Sequence, residues 1–139
     1  MVDIENYVIN YIQAAFDDAE ISVHVDSVFQ SYPSEFPTVT VRETQNVSLD
    51  STRDEDLAEH HVTVRYQIDV IVAEKPIKQN CKKLIAIADK AMQELKFTRT
   101  DYDISTSEDR TLAWGTAHYR AIVGEPKTVD GNRVYQMYR

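Results

Sequence analysis

The sequence predicts an α+β fold in which one mostly antiparallel sheet carries two helices packed on one face. The first sign is a stretch from Val62 to Val72 in which apolar and polar residues alternate strictly, the pattern of a strand with one buried face. The second is an amphipathic helical stripe directly after it, followed by a return to strand patterns. The predicted order is α-β-β-β-α-β-β. With 139 residues, a single domain over residues 1–139 is expected.

The N-terminal segment predicts the first helix. Asp3 is a candidate N-cap residue, and the pair Asp17-Asp18 marks the end of the pattern. Between them, apolar residues recur at the spacing of one helix face, which we expect to be buried: Ile4, Val8, Tyr11, Ile12, Ala15 and Phe16.

Two strands and an arm are predicted next. Alternation from Ile21 to Asp26 predicts the first strand, and alternation from Thr38 to Arg42 predicts the second. The stretch from Thr44 to Glu59 is polar and acidic, so we interpret it as a long hairpin arm. A loop of this length is usually functional or disordered, and we expect it to be mobile in a free subunit.

The third strand and the second helix form the predicted centre of the fold. On the strand, Val62, Val64, Tyr66, Ile68, Val70 and Val72 share one face, and Thr63, Arg65, Gln67 and Asp69 share the other. The helix follows Lys75-Pro76. Its apolar stripe consists of Ile77, Cys81, Leu84, Ile85, Ala88, Ala91, Met92 and Leu95.

Two more strands are predicted from Phe97 to Ile104 and from Leu112 to Val123, separated by a charged turn. One face of the last strand consists mostly of small residues, across which we expect the second helix to pack: Ala113, Gly115, Ala117, Ala121 and Val123. The opposite face suits a subunit contact better than a core: Trp114, Thr116, His118, Arg120 and Ile122. Asp130-Gly131 is a type I′ turn signal and predicts a terminal hairpin that ends at Val134 to Tyr138.

Composition excludes several classes of function. The net charge is −8 with a pI near 4.9, so the basic footprint of a nucleic-acid-binding domain is missing. The single cysteine, Cys81, cannot form an internal disulfide, which indicates a reducing compartment or indifference to redox. No apolar run reaches membrane-spanning length, and Met1–Glu5 shows no signal-peptide pattern. We expect a soluble, cytosolic chain with no membrane partner.

No catalytic, cofactor-binding or metal-binding constellation can be assembled from the sequence. With three glycines in the chain, no phosphate-binding loop is present. His60 and His61 are adjacent in a predicted strand and therefore point to opposite faces. The acidic run near residues 50–59 lacks the spacing and central glycine of a calcium loop. The enzymatic alternative is a small hydrolase that uses His118 with Asp101 or Asp103, but no nucleophile stands at a recognisable spacing.

Three groups of residues are candidates for a protein interface. The first is the acidic arm with Asp54, Glu55 and Asp56. The second is the polar face of the last long strand with Trp114, His118 and Arg120. The third is the tyrosine-rich end with Tyr135 and Tyr138, since tyrosine offers apolar area with a polar tip and is enriched at interfaces.

The chain resembles the small tail terminator (tail completion) proteins of long-tailed bacteriophages, particularly those of Gram-positive hosts. The resemblance covers nearly the whole chain. Its motifs are short and consist of ordinary strand residues, so its specificity comes from their order and spacing. The motifs are Met1 to Asn6, Phe36-Pro37-Thr38-Val39, Glu59 to Tyr66, Leu95 to Arg99, Tyr119 to Val123 and Val134-Tyr135.

The resemblance implies a structural virion protein with no catalytic residues and no cofactor. Such a protein forms a ring with copies of itself, usually a hexamer, at the neck end of the virion tail after assembly in the host cytoplasm. Its other partners are the major tail-tube protein and a head-completion or connector protein, and DNA passes through the ring without specific binding. The alternatives are another neck protein, such as a head-closure or adaptor protein, and a small ligand-binding domain of α+β type.

Overall fold

The computed structural model describes residues 3–28, 36–48 and 61–124, together with the backbone of three short strands near the C-terminus. The elements are α1 (Glu5–Asp18), β1 (His24–Asp26), β2 (Thr38–Ser48), β3 (His61–Val72), α2 (Ile77–Glu94), β4 (Thr98–Thr106), β5 (Ala113–Gly124), β6 (Lys127–Val129), β7 (Asn132–Val134) and β8 (Met137–Tyr138). The main sheet has the strand order β1-β2-β3-β5-β4, with β8 also paired to β5. The predicted α+β class and element order are confirmed.

Both helices pack on one face of the sheet, as predicted. Val8, Ile12 and Phe16 of α1 are fully buried, and they join the same cluster as the core-facing residues of β3 and the stripe of α2. From Val62 to Ile68 the buried residues of β3 alternate as the sequence predicts, but the rest of the strand as far as Val72 is buried on both faces of the sheet. Among the described residues this single cluster forms the core, and it places the helices on one side of the sheet and leaves the other side without them.

Helix α2 lies across the small-residue face of β5, as predicted. Gly115 is the closest point: a Cβ atom at this position would overlap Ile85 Cδ1 and lie 3.1 Å from Ile85 Cγ1 and 3.2 Å from Cys81 Sγ. Ala117 is likewise buried, with 1% of its surface exposed. Small side chains on β5 therefore set how closely the helix approaches the sheet.

The polar contact between Tyr119, Asp89 and Arg99 stabilises the edge of this helix–sheet layer. The buried Tyr119 hydroxyl donates to Asp89 Oδ1 at 2.7 Å, and Arg99 Nη1 lies 3.3 Å from the same oxygen. Burial, and then the neighbouring carboxylate, raise the pKa of Tyr119 well above its usual value. The phenol is therefore a permanent donor to Asp89 at physiological pH.

The predicted start of the arm is wrong. β2 continues to Ser48 and pairs with β3 as far as Val62, so residues 44–48 belong to the sheet. A register shift between Glu43 and Gln45 marks a bulge at Thr44, which breaks the alternation on which strand prediction depends. Residues 49–60, with the acidic candidates Asp54, Glu55 and Asp56, lie outside the described residues.

Other element boundaries differ by a few residues. α1 is capped at Ile4, although Asp3 Oδ1 still accepts a hydrogen bond of 3.1 Å from the Glu5 amide. β1 is limited to three residues and runs parallel to β2. The Asp130-Gly131 hairpin is confirmed by the β6–β7 pairing, but its second strand ends at Val134, and β8 then pairs with β5.

Candidate functional site: the helix-free face of the sheet

The helix-free face consists of the β2–β5 side chains that point away from α1 and α2. Directly opposed residues in antiparallel strands lie on the same face, so the strand register arranges these side chains in rows. The rows are Thr38, Ile71, Trp114 and Ser105; Thr40, Asp69, Thr116 and Asp103; Arg42, Gln67, His118 and Asp101; and Gln45, Arg65, Arg120 and Thr98.

A hydrogen-bond network occupies the middle of this face. Asp69 is only 4% exposed and accepts from Thr116 Oγ1 at 2.7 Å and from Gln67 Nε2 at 3.0 Å. The Gln67 carbonyl in turn accepts from an Arg42 Nη2 donor at 3.1 Å. A buried carboxylate with several donors is strongly held, so the network fixes the relative positions of β2, β3 and β5.

His118 and Asp101 form a solvent-accessible polar pair on this face. His118 Nδ1 lies 2.5 Å from Asp101 Oδ1, and the two side chains are 42% and 66% exposed. A register shift between Arg99 and Asp101 places Asp101, rather than Thr100, opposite His118. The sequence left Asp101 and Asp103 as alternatives, and the structure pairs Asp101 with the histidine, whereas Asp103 lies opposite Thr116.

The His118–Asp101 pair has part of the geometry of a general base. A carboxylate that orients an imidazole is one element of a catalytic triad. The second requirement is a nucleophile, and among the described residues no hydroxyl or thiol side chain bonds to the His118 ring. The nearby Thr100 hydroxyl donates instead to the His118 carbonyl at 3.3 Å. The arrangement therefore has the histidine and the carboxylate of a triad, but no nucleophile among the described residues, on an open surface.

Arg65 and Arg120 form a like-charge pair at the next row. They are directly opposed on β3 and β5, and both are exposed. Within the described part of the chain, the ion pairs involve other residues, and neither guanidinium has a carboxylate partner. Like charges directly opposite each other destabilise a sheet, so this pair would gain from an external anion.

Trp114 adds apolar area to the same face. It is the single tryptophan of the chain, it is 39% exposed, and it lies opposite the buried Ile71. Exposed aromatic and arginine side chains are the types enriched at protein interfaces. Because no other tryptophan is present, its fluorescence reports on this face alone.

The sequence-predicted interface residues divide into two sets. The structure brings Trp114, His118 and Arg120 together on the helix-free face. Tyr135 lies outside the described residues, and the backbone of Tyr138 pairs with Ile122 at the end of β5. Sequence reasoning placed Arg65 on a polar strand face but missed its pairing with Arg120, since only the register between β3 and β5 reveals it.

Two clefts open away from the helix-free face. One of about 410 Å³ lies between the end of α1, the end of β3 and the start of α2, with Glu20, Asn80 and Lys83 among its lining residues. The other, of about 440 Å³, lies between the two helices and is lined largely by alanines, with Tyr11 and Ile87. Among the described residues no His, Cys, Asp or Glu cluster could hold a metal ion, and no described helix is long and apolar enough to span a membrane.

Comparison with known proteins gives no further guide to this surface. The chain matches no protein-family model and no curated protein. Function is therefore inferred from the helix-free face and from the resemblance in sequence.

Proposed function

We propose that this protein is a tail terminator, a structural subunit that assembles into a ring on the end of a phage tail tube. The observation that carries the proposal is the helix-free face, with its exposed Trp114 and with Arg65 and Arg120, which have no carboxylate partner in the described part of the chain. A sheet face with this composition is suited to protein contacts rather than to turnover of a substrate. The confirmed element order also agrees with the resemblance in sequence.

Ring closure sets a requirement that this architecture can meet. A closed ring of more than two identical subunits uses heterologous contacts, in which a patch on one copy meets a different patch on the next. The helix-free face supplies one patch, and the exposed edge strand β4 supplies a second patch of different shape and chemistry. The net charge of −8 would repel the phosphate backbone of DNA that passes through the ring.

Capping of tail tubes by purified protein is the direct test. The protein is added to polymerising major tail-tube protein, and tube lengths and ends are examined by electron microscopy. A molar excess is expected to shorten the tubes and to decorate one end only. Trp114→Ser is expected to weaken capping, whereas Ile87→Ser in the inter-helix cleft is the control and is expected to cap as the wild type does. Uniform binding along the tube, or no effect over a wide excess, would refute the proposal.

The same preparation separates the tail terminator from a head-closure or adaptor protein. An adaptor would bind portal-side proteins and leave tube length unchanged. A tail terminator would bind the tube end first and the head-completion or connector protein afterwards. Pull-down of each partner separately, with the order of addition reversed, therefore distinguishes the two roles.

The polar cleft beside Asn80 is the observation that favours a small ligand-binding domain instead. It combines Glu20, Asn80 and Lys83 with apolar walls, the composition of many small-molecule sites. A small-molecule screen by thermal shift would find a ligand whose stabilising effect disappears in Lys83→Ala if this alternative is correct. The ring proposal predicts no such ligand.

A further inference from the structure

We propose that Arg65 and Arg120 of one subunit bind the Asp103 carboxylate of a second copy of this chain. The inference deepens the proposed ring assembly and rests on it, because it assigns the charged contact between neighbouring subunits. The occupant of the arginine pair is thus another copy of the protein, not DNA or a small anion.

The arginine pair has no counterion among the residues that the structure describes. Arg65 and Arg120 are directly opposed and exposed, with Cβ atoms about 5 Å apart by strand geometry. A carboxylate placed between two guanidinium groups accepts charge-assisted hydrogen bonds from both, and such bonds are roughly twice as strong as those between neutral groups. Binding of one such group would convert a repulsive row of the sheet into an attractive one.

Asp103 is the matching group on the same face. It lies on the edge strand β4 opposite Thr116, it is exposed, and among the described residues it has no hydrogen-bond or ion-pair partner. Thr116 is four residues from Arg120 along β5, a separation of about 13 Å at strand geometry. Asp103 therefore cannot reach the arginine pair of its own subunit, and both charges remain available to a neighbour.

Charge complementarity favours a second copy over nucleic acid. The chain has 23 acidic and 15 basic residues, so the surface of another copy offers mainly carboxylates. Asp101 lies one row from the arginines and Asp103 two rows away on the same face, and both would repel a polyphosphate backbone. A partner with its own mixture of charges, such as this face or edge on another copy, matches both signs.

A charge-swap experiment tests this contact. Arg120→Glu places two negative groups against each other in a homotypic contact, and Asp103→Arg places positive groups together. In an equimolar mixture every contact between unlike copies brings opposite charges together at positions 120 and 103, in the native or the reversed sense, so the two variants can pair by alternating. Lys82→Glu on α2, exposed on the opposite side of the sheet, is the control with the same change in charge.

Self-association is measured by sedimentation velocity over a concentration series at low and high salt, with Trp114 fluorescence quenching as a second readout. Each single variant is expected to associate at least about tenfold more weakly than wild type, and the equimolar mixture is expected to recover association. High salt is expected to weaken the wild type. The Lys82→Glu control should behave as the wild type does.

Several results would overturn the contact. They are variants that associate as wild type does, a mixture that does not recover, a wild type that remains monomeric throughout the series, or an Arg120→Glu variant that loses only binding to duplex DNA. Tube capping is scored separately. If the charge swap restores association but the wild-type protein does not cap tubes, the tail-terminator role is wrong and the contact stands. If Arg120→Glu caps tubes as the wild type does, the contact is wrong and the role stands.

Discussion

Replacement of Gly115 by alanine should destabilise the protein, because α2 leaves no room for a methyl group on β5. The new Cβ would overlap Ile85 Cδ1 and lie 3.1 Å from Ile85 Cγ1 and 3.2 Å from Cys81 Sγ. Overpacking of this kind costs about 1–3 kcal/mol. Alanine also recovers about 0.5–1 kcal/mol of the backbone entropy that glycine loses in a strand, so the expected net cost, from the middle of each range, is about 1 kcal/mol.

A double-mutant cycle identifies the atom responsible. Ile85→Val removes Cδ1 and alone costs about 0.5–1.5 kcal/mol. In Gly115→Ala/Ile85→Val the new methyl group occupies the space that Cδ1 leaves, so the double variant should be no less stable than Ile85→Val. The expected coupling is at least about 1 kcal/mol in the stabilising direction, within the range found for residues in contact.

The assay is equilibrium unfolding in urea, checked by thermal melting, in which Gly115→Ala should lower the midpoint temperature by roughly 2–10 °C. The matched control is the cycle with Ile87→Val, since Ile87 lines the cleft between the helices. The effects of Ile87→Val and Gly115→Ala on the free energy of unfolding should therefore be additive. Additivity in the Ile85 cycle, or an unchanged midpoint in Gly115→Ala, would refute the packing of α2 on β5 described above.

Three further predictions concern the core and its polar edge. Ala117→Leu should overpack the same layer and cost about 1–3 kcal/mol, and an unchanged urea midpoint would contradict this. Tyr119→Phe should cost about 1–2 kcal/mol because it removes the buried donor to a carboxylate. The Tyr11 hydroxyl donates to Glu94 at the surface, so Tyr11→Phe should cost less than about 0.5 kcal/mol. Equal losses of stability would show that burial does not decide the difference. Burial raises the pKa of the Cys81 thiol from 9.0 to about 11, so the folded state holds this proton longer than the unfolded chain does. The stability that this shift contributes is complete below pH 9 and is lost between about pH 9 and 11. Urea midpoints should therefore fall more from pH 8 to pH 10 in the wild type than in Cys81→Ala. Equal falls would contradict the shift in pKa.

The regular parts of the fold were predictable because burial imposes its period on the residues. The α2 stripe and the first half of the β3 alternation match the observed burial, since each element has one face in the same core. From Ile68 onwards β3 is buried on both faces, which the polar Asp69 on the second face did not indicate. The end of β2 was missed for a physical reason: after the bulge at Thr44, the core-facing positions are the polar Asn46 and Ser48, and Val47 is 46% exposed. A hydrophobic pattern does not identify the end of a strand whose core-facing positions are polar.

The candidate site was predictable only in part. Alternation placed Trp114, His118 and Arg120 on one face, because parity along a strand is a local property. Pairing across strands is not local. The bulge at Thr100 shifts the register of β4 by one residue and so decides that Asp101 meets His118, and the opposition of Arg65 and Arg120 likewise depends on the β3–β5 register.

The alternation of β5 has a genetic consequence. Its odd-numbered residues from Ala113 to Val123 are buried against the helices, whereas the even-numbered residues from Trp114 to Ile122 lie on the helix-free face. Damaging substitutions at odd positions should yield unfolded subunits, which are simply missing from the assembly and are complemented by a wild-type copy. If the protein assembles into the proposed ring, substitutions at even positions should yield folded subunits that join a growing ring at one end and block its closure at the other. Co-expression with wild type should therefore give recessive phenotypes at odd positions and dominant-negative ones at even positions along the same strand.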